Sequence, residues 1–550
     1  MVARRWRHIL DLAAVKILFF GRHFTYFRNF ESVLRGLAER GHHIHLAADH
    51  DESIGGQQLV ERLAATYPNI TFGDAPPRTA DDDAWVANHL RLGLDYLRYQ
   101  HRIFDQALTL RVRSIDRTPA VFLTLGRIAR RIGEPARRLL VGLVRKLERY
   151  VPEDPAIREY IVSQKPDAVL ITPLINLGSS QIEYQRAARG LGIPCALCVW
   201  SWDHLSSKAL IRDWPDRVFV WNDVQRQEAL TLHGVPADRI VVTGAQCFDQ
   251  WFNRTPSRDR AAFCAHVGLP DDRPFVMYAC STLFDHSPPE AKLVVEWIRQ
   301  VRASRLPHLQ NIGILVRPHP SRLFEWDNID LSTMGPTVLW GRNPLDPVSK
   351  ADYFDSMYHS AAVVGLITSA FIEAGIVGRE VHTVLHPEFE DNQLGTVHYH
   401  YLTNTAGGLL IVGKGWDEHL QKLHETLSRP RQDVLKPFIK AFVRPHGLDV
   451  AATPRFVEQV EAMSGLTVQQ SKPDVLAFVW RRAIDRLRAM RHDERYDRWT
   501  LSQREHAVKR RNRENAERKA RERSAARKAL KAEERRRQSE QEPQALADRK

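Results

Sequence analysis

Two successive rounds of short apolar strands and amphipathic helices constrain this chain more than any other feature of its sequence. The first round begins with an apolar run at residues 15–20. It continues with a helix whose apolar side chains recur at helical spacing up to Gly41, and returns to a strand at 44–47. A strand, a helix and a second strand in this order are typical of a right-handed crossover in a parallel sheet. The sequence therefore predicts an α/β protein built on parallel sheets.

Further apolar runs, rich in β-branched residues, continue this pattern along the chain. Such runs are typical of strands that are buried on both faces of a parallel sheet. The predicted strands lie at 15–20, 44–47, 168–172, 195–200, 217–220 and 240–243 in the first round, and at 275–279, 312–316, 338–340, 362–367, 381–385 and 409–412 in the second, where a helix is predicted at 291–303.

The length of 550 residues indicates more than one domain, because a single hydrophobic core rarely grows past about 250–300 residues. We expect two Rossmann-like domains with a cleft between them, a helical insertion rich in arginine, and a basic C-terminal tail that is helical or disordered. The predicted boundaries are 1–253 for the N-terminal acceptor domain with its insertion at about 81–160, 254–260 for a polar linker, 262–465 for the C-terminal nucleotide-donor domain, 466–500 for a helix that packs back on the first domain, and 501–550 for the tail.

The positive charge of the chain is concentrated in the tail. The formal net charge is +13, and residues 501–550 contain 17 Lys and Arg against 9 Asp and Glu, which leaves only +5 for the rest. This distribution argues against a nucleic-acid-binding core, and we expect no nucleic-acid partner. The tail has too few apolar residues to bury a core. Two alternatives stay open for it: a solvated charged segment, or a contact with an anionic membrane surface.

Cysteine content and hydropathy indicate a cytoplasmic protein. Of the five cysteines, Cys195 and Cys198 have a C-x-x-C spacing, but they lie in a predicted buried strand and no second pair follows at zinc-site spacing. We therefore expect no metal and no disulfide framework, which fits a reducing compartment. No segment reaches the roughly 20 apolar residues of a transmembrane helix, and the start of the chain is predicted as a short helix that leads into the first strand. Peripheral contact with the inner face of the membrane stays open.

Two loops at strand ends in the second round predict a phosphate-binding site. One strand stops at Arg317, two residues before His319, and another stops at Thr368 and Ser369, one turn before Glu373. Ligands of parallel sheets bind beyond the carboxyl ends of the strands. A guanidinium and an imidazole suit phosphate oxygens, a helix that starts after Ser369 would add backbone N–H donors, and Glu373 could reach a ribose diol. Ordinary helix capping by these hydroxyls is the alternative.

The loop after the first strand supplies candidate groups from the other domain. Residues 21–29 lack a Gly-x-Gly-x-x-Gly pattern, so they do not predict a nicotinamide site. His23 is a candidate general base for an acceptor hydroxyl, because an imidazole titrates in the right range. Tyr26 is a candidate acceptor-binding residue, and a loop histidine without a catalytic role is the alternative for His23.

A second loop of the first round combines aromatic, acidic and imidazole groups. Asp203 is a rival candidate for the catalytic base, and Trp202 and His204 beside it suit recognition of a sugar or polyol acceptor. Packing against the other domain is the alternative for such an aromatic loop. Gly244, at the end of the predicted strand 240–243, allows close approach of a ligand or a tight turn and is a candidate donor-binding residue.

The motifs together resemble those of GT-B glycosyltransferases. Residues 216–223 and 233–244 are similar to the end of the N-terminal domain in many such enzymes. The stretch from Arg317 to Pro320, with Thr368 and Ser369, is similar to the His-Pro and Ser/Thr motifs of bacterial surface-polysaccharide transferases. These include the CDP-glycerol glycerophosphotransferase-like and sialyltransferase-like groups, in which the histidine and hydroxyl residues contact the donor phosphate, so the resemblance implies the same for His319, which we count among the catalytic candidates.

The resemblance implies a metal-independent transferase without a cofactor. It would move a sugar or polyol phosphate from a nucleotide-sugar or CDP-polyol donor to a cell-envelope glycan or lipid-linked acceptor, as polysaccharide biosynthesis requires. A nucleotide-sugar epimerase of the same fold is one alternative, and it would need carboxylates on both sides of the cleft. A non-catalytic scaffold that works through its basic tail is another.

Overall fold

The N-terminal domain is built on a parallel sheet of seven strands. The computed structural model describes residues 14–51, 55–341, 343–344, 346–468, 474–511 and 514. The strands are β1 (Lys16–Gly21), β2 (His43–Ala48), β3 (Ile70–Asp74), β4 (Ala168–Thr172), β5 (Cys195–Cys198), β6 (Arg217–Val220) and β7 (Ile240–Val242). Their order in the sheet is β3-β2-β1-β4-β5-β6-β7, so the chain winds outward from β1 in both directions.

The C-terminal domain is built on a second parallel sheet, of six strands. They are β8 (Phe275–Ala279), β9 (Gly313–Arg317), β10 (Thr337–Leu339), β11 (Ala362–Val364), β12 (Val381–Val384) and β13 (Leu410–Gly413). Their order is β10-β9-β8-β11-β12-β13, which is again doubly wound. The predicted α/β class with two Rossmann-like domains is confirmed by these two sheets.

Helices cover both sheets and form the insertion. In chain order they are α1 (Glu31–Glu39), α2 (Gly56–Thr66), α3 (Asp82–Arg98), α4 (Leu108–Ile115), α5 (Ala120–Ile132), α6 (Glu134–Arg149), α7 (Pro155–Gln164), α8 (Ile182–Gly190), α9 (His204–Ser207), α10 (Asp223–His233), α11 (Asp249–Phe252), α12 (Arg260–Val267), α13 (Glu290–Ala303), α14 (Pro347–His359), α15 (Ala370–Ile376), α16 (Tyr399–Asn404), α17 (Trp416–Ser428), α18 (Lys436–Phe442), α19 (Ala452–Glu461), α20 (Ala477–Arg491) and α21 (Asp497–Thr500).

Three local features differ from the sequence-based expectation. Strand β3 has no strong apolar run because it lies at the sheet edge and is only partly buried. The segment after β1, expected as an open loop, forms a 3-10 helix at Phe24–Phe30, whose phenylalanines enter the core. The predicted strands 362–367 and 195–200 end earlier, at Val364 and Cys198, and the residues beyond them turn toward the cleft.

The chain returns to the N-terminal domain earlier than the predicted boundary at 465. Phe456 and Val457 of α19 are buried in the same core cluster as β1 and α1, and the ring of Phe456 packs 5.0 Å from that of Phe219. Helix α19 therefore belongs to the first domain by its packing. The predicted N-terminal helix before residue 14 and most of the tail, 515–550, lie outside the described residues.

The helical insertion is held on the first sheet by buried ion pairs. Nε of Arg91 in α3 donates a 2.7 Å hydrogen bond to Glu148 of α6, and the same guanidinium binds Glu183 of α8. Arg186 completes the cluster on Glu148. Since Arg91, Glu148 and Glu183 are all at most 3% exposed, the arginines that gave the insertion its polar sequence are partly structural.

Candidate active site between the two domains

A cleft of about 1120 Å³ separates the two sheets. It is lined by segments that follow the carboxyl ends of strands: Arg28 after β1, Trp202 after β5, Thr282 after β8, His319 after β9 and Ser369 after β11. This is the position at which open parallel sheets bind ligands. Each domain therefore contributes its own strand-end loops to one shared site.

The cleft has a cationic lining. Among the described residues that line it, lysines and arginines outnumber carboxylates seven to four. Such an excess in a concave site attracts anionic ligands. The basic residues are Arg28, Arg62, Arg113, Lys208, Arg254, Arg317 and Lys350, and the acidic residues are Asp203, Asp285, Glu373 and Asp391.

His319 is held in one orientation by two hydroxyl groups and a backbone amide. The backbone N–H of Ser321 donates to its Nδ1 at 3.2 Å, and the Ser321 hydroxyl lies 2.8 Å from the same atom. Nε2 lies 2.5 Å from Oγ1 of Thr282. With Nδ1 as acceptor, the proton of the neutral ring is on Nε2. Burial, with smaller contributions from Arg28 and Arg322, lowers the pKa of His319 to about 4, so the ring is neutral at pH 7.

Arg317 is more deeply placed than the sequence suggested. Its Nη1 donates a 2.8 Å hydrogen bond to Oγ of Ser356 and lies 3.6 Å from Asp352. The guanidinium carbon lies 4.8 Å from the ring centroid of Tyr353. Burial lowers the pKa of Arg317. One side of the guanidinium is thus committed to α14, although the residue lines the cleft.

Glu373 is a carboxyl group with an unusual environment. Tyr353 of α14 donates a 2.6 Å hydrogen bond to its Oε2. Burial raises the pKa of Glu373 to about 7, against the opposing influence of Tyr353, Arg28 and Arg317. At neutral pH the Glu373 carboxyl group is therefore about half protonated, so it can give up or take up a proton. Its ionised form can accept hydrogen bonds, as the sequence predicts.

Thr368 and Ser369 lie on the segment between β11 and α15. As expected, a helix begins directly after Ser369, but it has only seven residues. The N–H of Ala370 donates a 3.4 Å hydrogen bond to Oγ1 of Thr368. Nε1 of Trp202, from the other domain, donates to Oγ of Ser369 at 3.4 Å. This hydrogen bond connects the two domains inside the cleft.

Trp202 and Asp203 line the cleft, but both side chains make most of their contacts with other residues of the protein. Trp202 is 5% exposed and packs edge-on against His398, with ring centroids 4.9 Å apart. Oδ2 of Asp203 accepts a 2.8 Å hydrogen bond from Ser207, and Ser201 donates to Oδ1. Burial opposes ionisation of Asp203, yet Lys208, His398 and the two hydroxyls hold the pKa of its carboxyl below the ordinary value. Asp203 is therefore a weak base.

Two predicted residues, His23 and Tyr26, are not among the described residues that line the cleft. Their rings pack together with centroids 4.5 Å apart, and Tyr26 contacts Trp200 edge-on at 5.0 Å. Trp200 does line the cleft. Within the 3-10 helix at Phe24–Phe30, the residues that line the cleft are instead Thr25, Arg28 and Asn29.

His204 and Gly244 also lie away from the described cleft lining. His204 is fully buried at the start of α9, and burial lowers the pKa of its ring to about 3. Gly244 has a φ of +92°, and a Cβ there would lie 2.7 Å from Cβ of Ala452. The glycine permits close packing of α19 rather than close approach of a ligand. Neither residue lines the described cleft, and their predicted acceptor-binding and donor-binding roles stay predictions.

Several residues that line the cleft had no role assigned from the sequence, among them Arg28, Thr282, Lys350 and Tyr353. Arg28 and Thr282 follow β1 and β8, so the strand-end rule that found His319 could have found them. Lys350 and Tyr353 lie within α14, whose pattern is that of an ordinary surface helix. Only the tertiary structure brings that helix to the cleft.

The described residues contain no group of three or more His, Cys, Asp or Glu side chains arranged to bind a metal ion. In the same part of the chain, no helix combines the length and apolarity needed to cross a membrane.

Comparison with known proteins finds similarity at the level of structure. No protein-family model and no curated protein matches the chain. A glycosyltransferase from Rickettsia africae is 11% identical with a TM-score of 0.46, over 82% of this chain and 98% of that chain. UDP-GlcNAc 2-epimerase from Methanocaldococcus jannaschii, in complex with UDP-GlcNAc and UDP, is 12% identical with a TM-score of 0.45, over 81% and 99% of the two chains.

A further epimerase of this kind, from Neisseria meningitidis and bound to UDP-GlcNAc, is 10% identical with a TM-score of 0.44, over 81% of this chain and 99% of that chain. Two doubly wound parallel sheets with a cleft at their carboxyl ends are nevertheless present in this chain itself. The protein has a fold of the GT-B type.

Proposed function

We propose that the protein is a transferase that moves a sugar or a polyol phosphate from a nucleotide-activated donor to an acceptor in the cell envelope. The observation that carries this proposal is the convergence of Arg28, from one domain, with His319, Thr282 and Ser369, from the other, on one cationic cleft. Fixed donors of this kind stabilise charge that develops on a departing phosphate without needing to reorganise.

The C-terminal domain would hold the donor. The Thr282 hydroxyl is oriented by the neutral His319 ring, so it can donate its proton to a phosphate oxygen. The hydroxyls of Thr368 and Ser369 offer further donors on the same wall. Glu373 would accept hydrogen bonds from a ribose diol through Oε1, because Oε2 is already bound by Tyr353. Arg317 would contribute positive charge from behind this wall.

The base that deprotonates the acceptor is proposed from three candidates. His23 has the right intrinsic range but lies away from the described cleft lining. Asp203 lines the cleft, but its lowered pKa weakens it as a base. Glu373, with a pKa of about 7, matches the requirement of a general base near neutral pH, and in that role it would not hold the donor ribose. Single replacements of the three residues, scored by turnover with a bound donor, rank them directly.

An amphiphilic acceptor fits the outer part of the cleft. Leu108 and Val112 of α4 line it and are 58% and 63% exposed. Arg113 and Lys208 lie along the same wall. Apolar groups beside cationic groups suit an acceptor with a hydrocarbon part and an anionic head, such as a lipid-linked glycan. The proposal therefore favours a lipid-linked acceptor over a free sugar.

Thermal unfolding with CMP, CDP, UDP and GDP tests the donor site. A nucleotide at a hundredfold excess over its dissociation constant should stabilise the native state by about 2.7 kcal/mol. His319→Ala should reduce that stabilisation, whereas His308→Ala should leave it unchanged, because His308 lies in the same domain but on its exposed surface. Equal stabilisation of both variants, or none by any nucleotide in the native protein, would sink the assignment.

A nucleotide-sugar epimerase is the second candidate. The observation in its favour is that Asp203 and Glu373 line the cleft from opposite domains, which supplies a carboxyl group on each side of a bound sugar. Incubation with a nucleotide sugar alone separates the two candidates. Epimerisation requires no acceptor, whereas transfer in the absence of an acceptor should stop at slow hydrolysis.

A further inference from the structure

Helices α6 and α20 carry several of the exposed apolar side chains of the described chain. Leu139 and Leu143 of α6 are 65% and 47% exposed. Val475, just before α20, is 89% exposed, and Phe478 and Val479 within it are 65% and 42% exposed. Large apolar patches on a soluble surface mark interaction sites. We call these five residues the α6–α20 face, and we propose that this face docks on an anionic lipid bilayer.

The two helices of the α6–α20 face meet at the C-terminal end of α6. Leu139, Leu143, Lys146 and Tyr150 follow one another at helical spacing, so they form one stripe along α6. The C-terminal end of this stripe contacts Asp474, which lies three residues before the start of α20. Nζ of Lys146 lies 3.0 Å from Oδ2 of Asp474, and Tyr150 donates a 2.8 Å hydrogen bond to the same atom. Lys146 also lies 5.3 Å from the ring of Trp480.

The charges beside the face complement an anionic surface. On the outer side of α20 the apolar positions Val475, Phe478 and Val479 are followed, at helical spacing, by Arg482 and Arg486. Both arginines are exposed, and neither has an acidic partner within 4.0 Å among the described residues. Side chains arranged in this way can place their apolar part at the acyl boundary and their guanidinium groups among phosphate headgroups.

The later part of α20 is anchored on the first domain. Ile484 of α20 is 1% exposed, and Arg488 pairs at 2.7 Å with Asp83 of α3. Arg491 and His492 bind Asp82 at 2.6 and 3.0 Å. A preformed face avoids the entropic cost of ordering on binding. A second copy of the chain is a poorer occupant, because a two-fold contact brings the same patch of both copies together, and this patch carries the positive charges of Arg482 and Arg486.

Vesicle sedimentation of the full-length protein tests the inference, which does not depend on the proposed transferase chemistry. Vesicles of phosphatidylcholine alone are compared with vesicles that also contain phosphatidylglycerol, at low and high salt. We expect binding to the anionic vesicles that weakens with salt. Phe478→Ser should lower the partition about tenfold or more, since burial of a phenylalanine accounts for at least that factor. Phe324→Ser is the matched control, because Phe324 is 66% exposed but lies on the other domain.

Each contrary result overturns the proposal. Unchanged vesicle binding by Phe478→Ser would assign the membrane contact to the basic tail, which this variant retains. Failure of the native protein to bind either vesicle would remove the bilayer as the partner. Self-association of the native protein in analytical ultracentrifugation, abolished by Phe478→Ser, would assign the face to a second copy. A normal thermal unfolding midpoint for Phe478→Ser verifies that the variant is folded.

Discussion

The hydroxyl of Tyr353 donates a 2.6 Å hydrogen bond to Oε2 of Glu373 at the edge of the interdomain cleft. The bond favours the ionised carboxylate, but burial outweighs it and raises the pKa of Glu373 to about 7. The hydrogen bond from Tyr353 therefore limits how far burial raises the pKa of Glu373. This pair is where the chemistry of the cleft becomes sensitive to pH near neutrality.

The first prediction concerns the pH dependence of stability. Because the folded-state pKa of Glu373 is raised above 4.5, the native state binds more protons than the unfolded state between about pH 4.5 and pH 7. The stabilising contribution is complete below that window and is lost as the pH rises through it. Glu373→Gln, which resembles the protonated acid, should gain stability relative to the native protein by up to about 3 kcal/mol between pH 5 and pH 8.

Tyr353→Phe is the companion variant for this prediction. It removes a hydrogen bond that lowers the pKa of Glu373, so the loss of stability should extend to higher pH. Urea unfolding at several pH values measures both effects. A difference between native protein and Glu373→Gln that stays constant with pH would show that Glu373 titrates in its ordinary range.

The second prediction concerns Gly244 and its contact with α19. Gly244→Ala should destabilise the protein by two effects: backbone strain at a φ of +92°, and a Cβ placed 2.7 Å from Cβ of Ala452. Gly41→Ala provides the control, because Gly41 has a similar φ of +85° but nothing within 4 Å of the added Cβ. Strain alone costs about 1–2 kcal/mol, and overpacking adds about 1–3 kcal/mol. Equal shifts of the urea midpoint in the two variants would contradict the packing role of Gly244.

Most strands of the two sheets were predictable because they are short, continuous apolar runs, which are typical of buried parallel strands. β4, β6 and β8 begin and end where the sequence predicts, whereas β3 was missed because an edge strand is only half buried. The site was less predictable. Loops at strand ends identified His319 and Ser369, but the orientation of His23 and Arg28 depends on the 3-10 helix that the sequence did not indicate. Residues within helices, such as Tyr353, reach the cleft only through tertiary packing.

The third prediction concerns an ion pair that bridges the two domains. Nζ of Lys350 on α14 lies 3.2 Å from Oε2 of Glu31 on α1. Both side chains are partly exposed, so a double-mutant cycle with Lys350→Met and Glu31→Gln should give a coupling energy of about 0.2–1 kcal/mol. The coupling should shrink at high salt because exposed charges are screened. A coupling near zero at low salt would show that this pair does not hold the domains together.

The fourth prediction compares two glutamates of α6 whose pKa values are both lowered to about 2 but whose surroundings differ. Glu148 is fully buried, and although burial opposes its ionisation, Arg186 and Arg91 outweigh that effect. Glu134 is 32% exposed, and its hydrogen bond from Arg137 lowers its pKa most.

Glu148→Gln should cost about 3–5 kcal/mol at pH 7 because it leaves buried guanidinium charge uncompensated, whereas Glu134→Gln should cost less than about 1 kcal/mol. Both pKa values are depressed, so each contribution is complete above about pH 4.5 and is lost as the pH falls toward 2. Urea unfolding at pH 7 and pH 4 measures the difference, and equal costs at pH 7 would mean that burial does not decide the strength of these ion pairs.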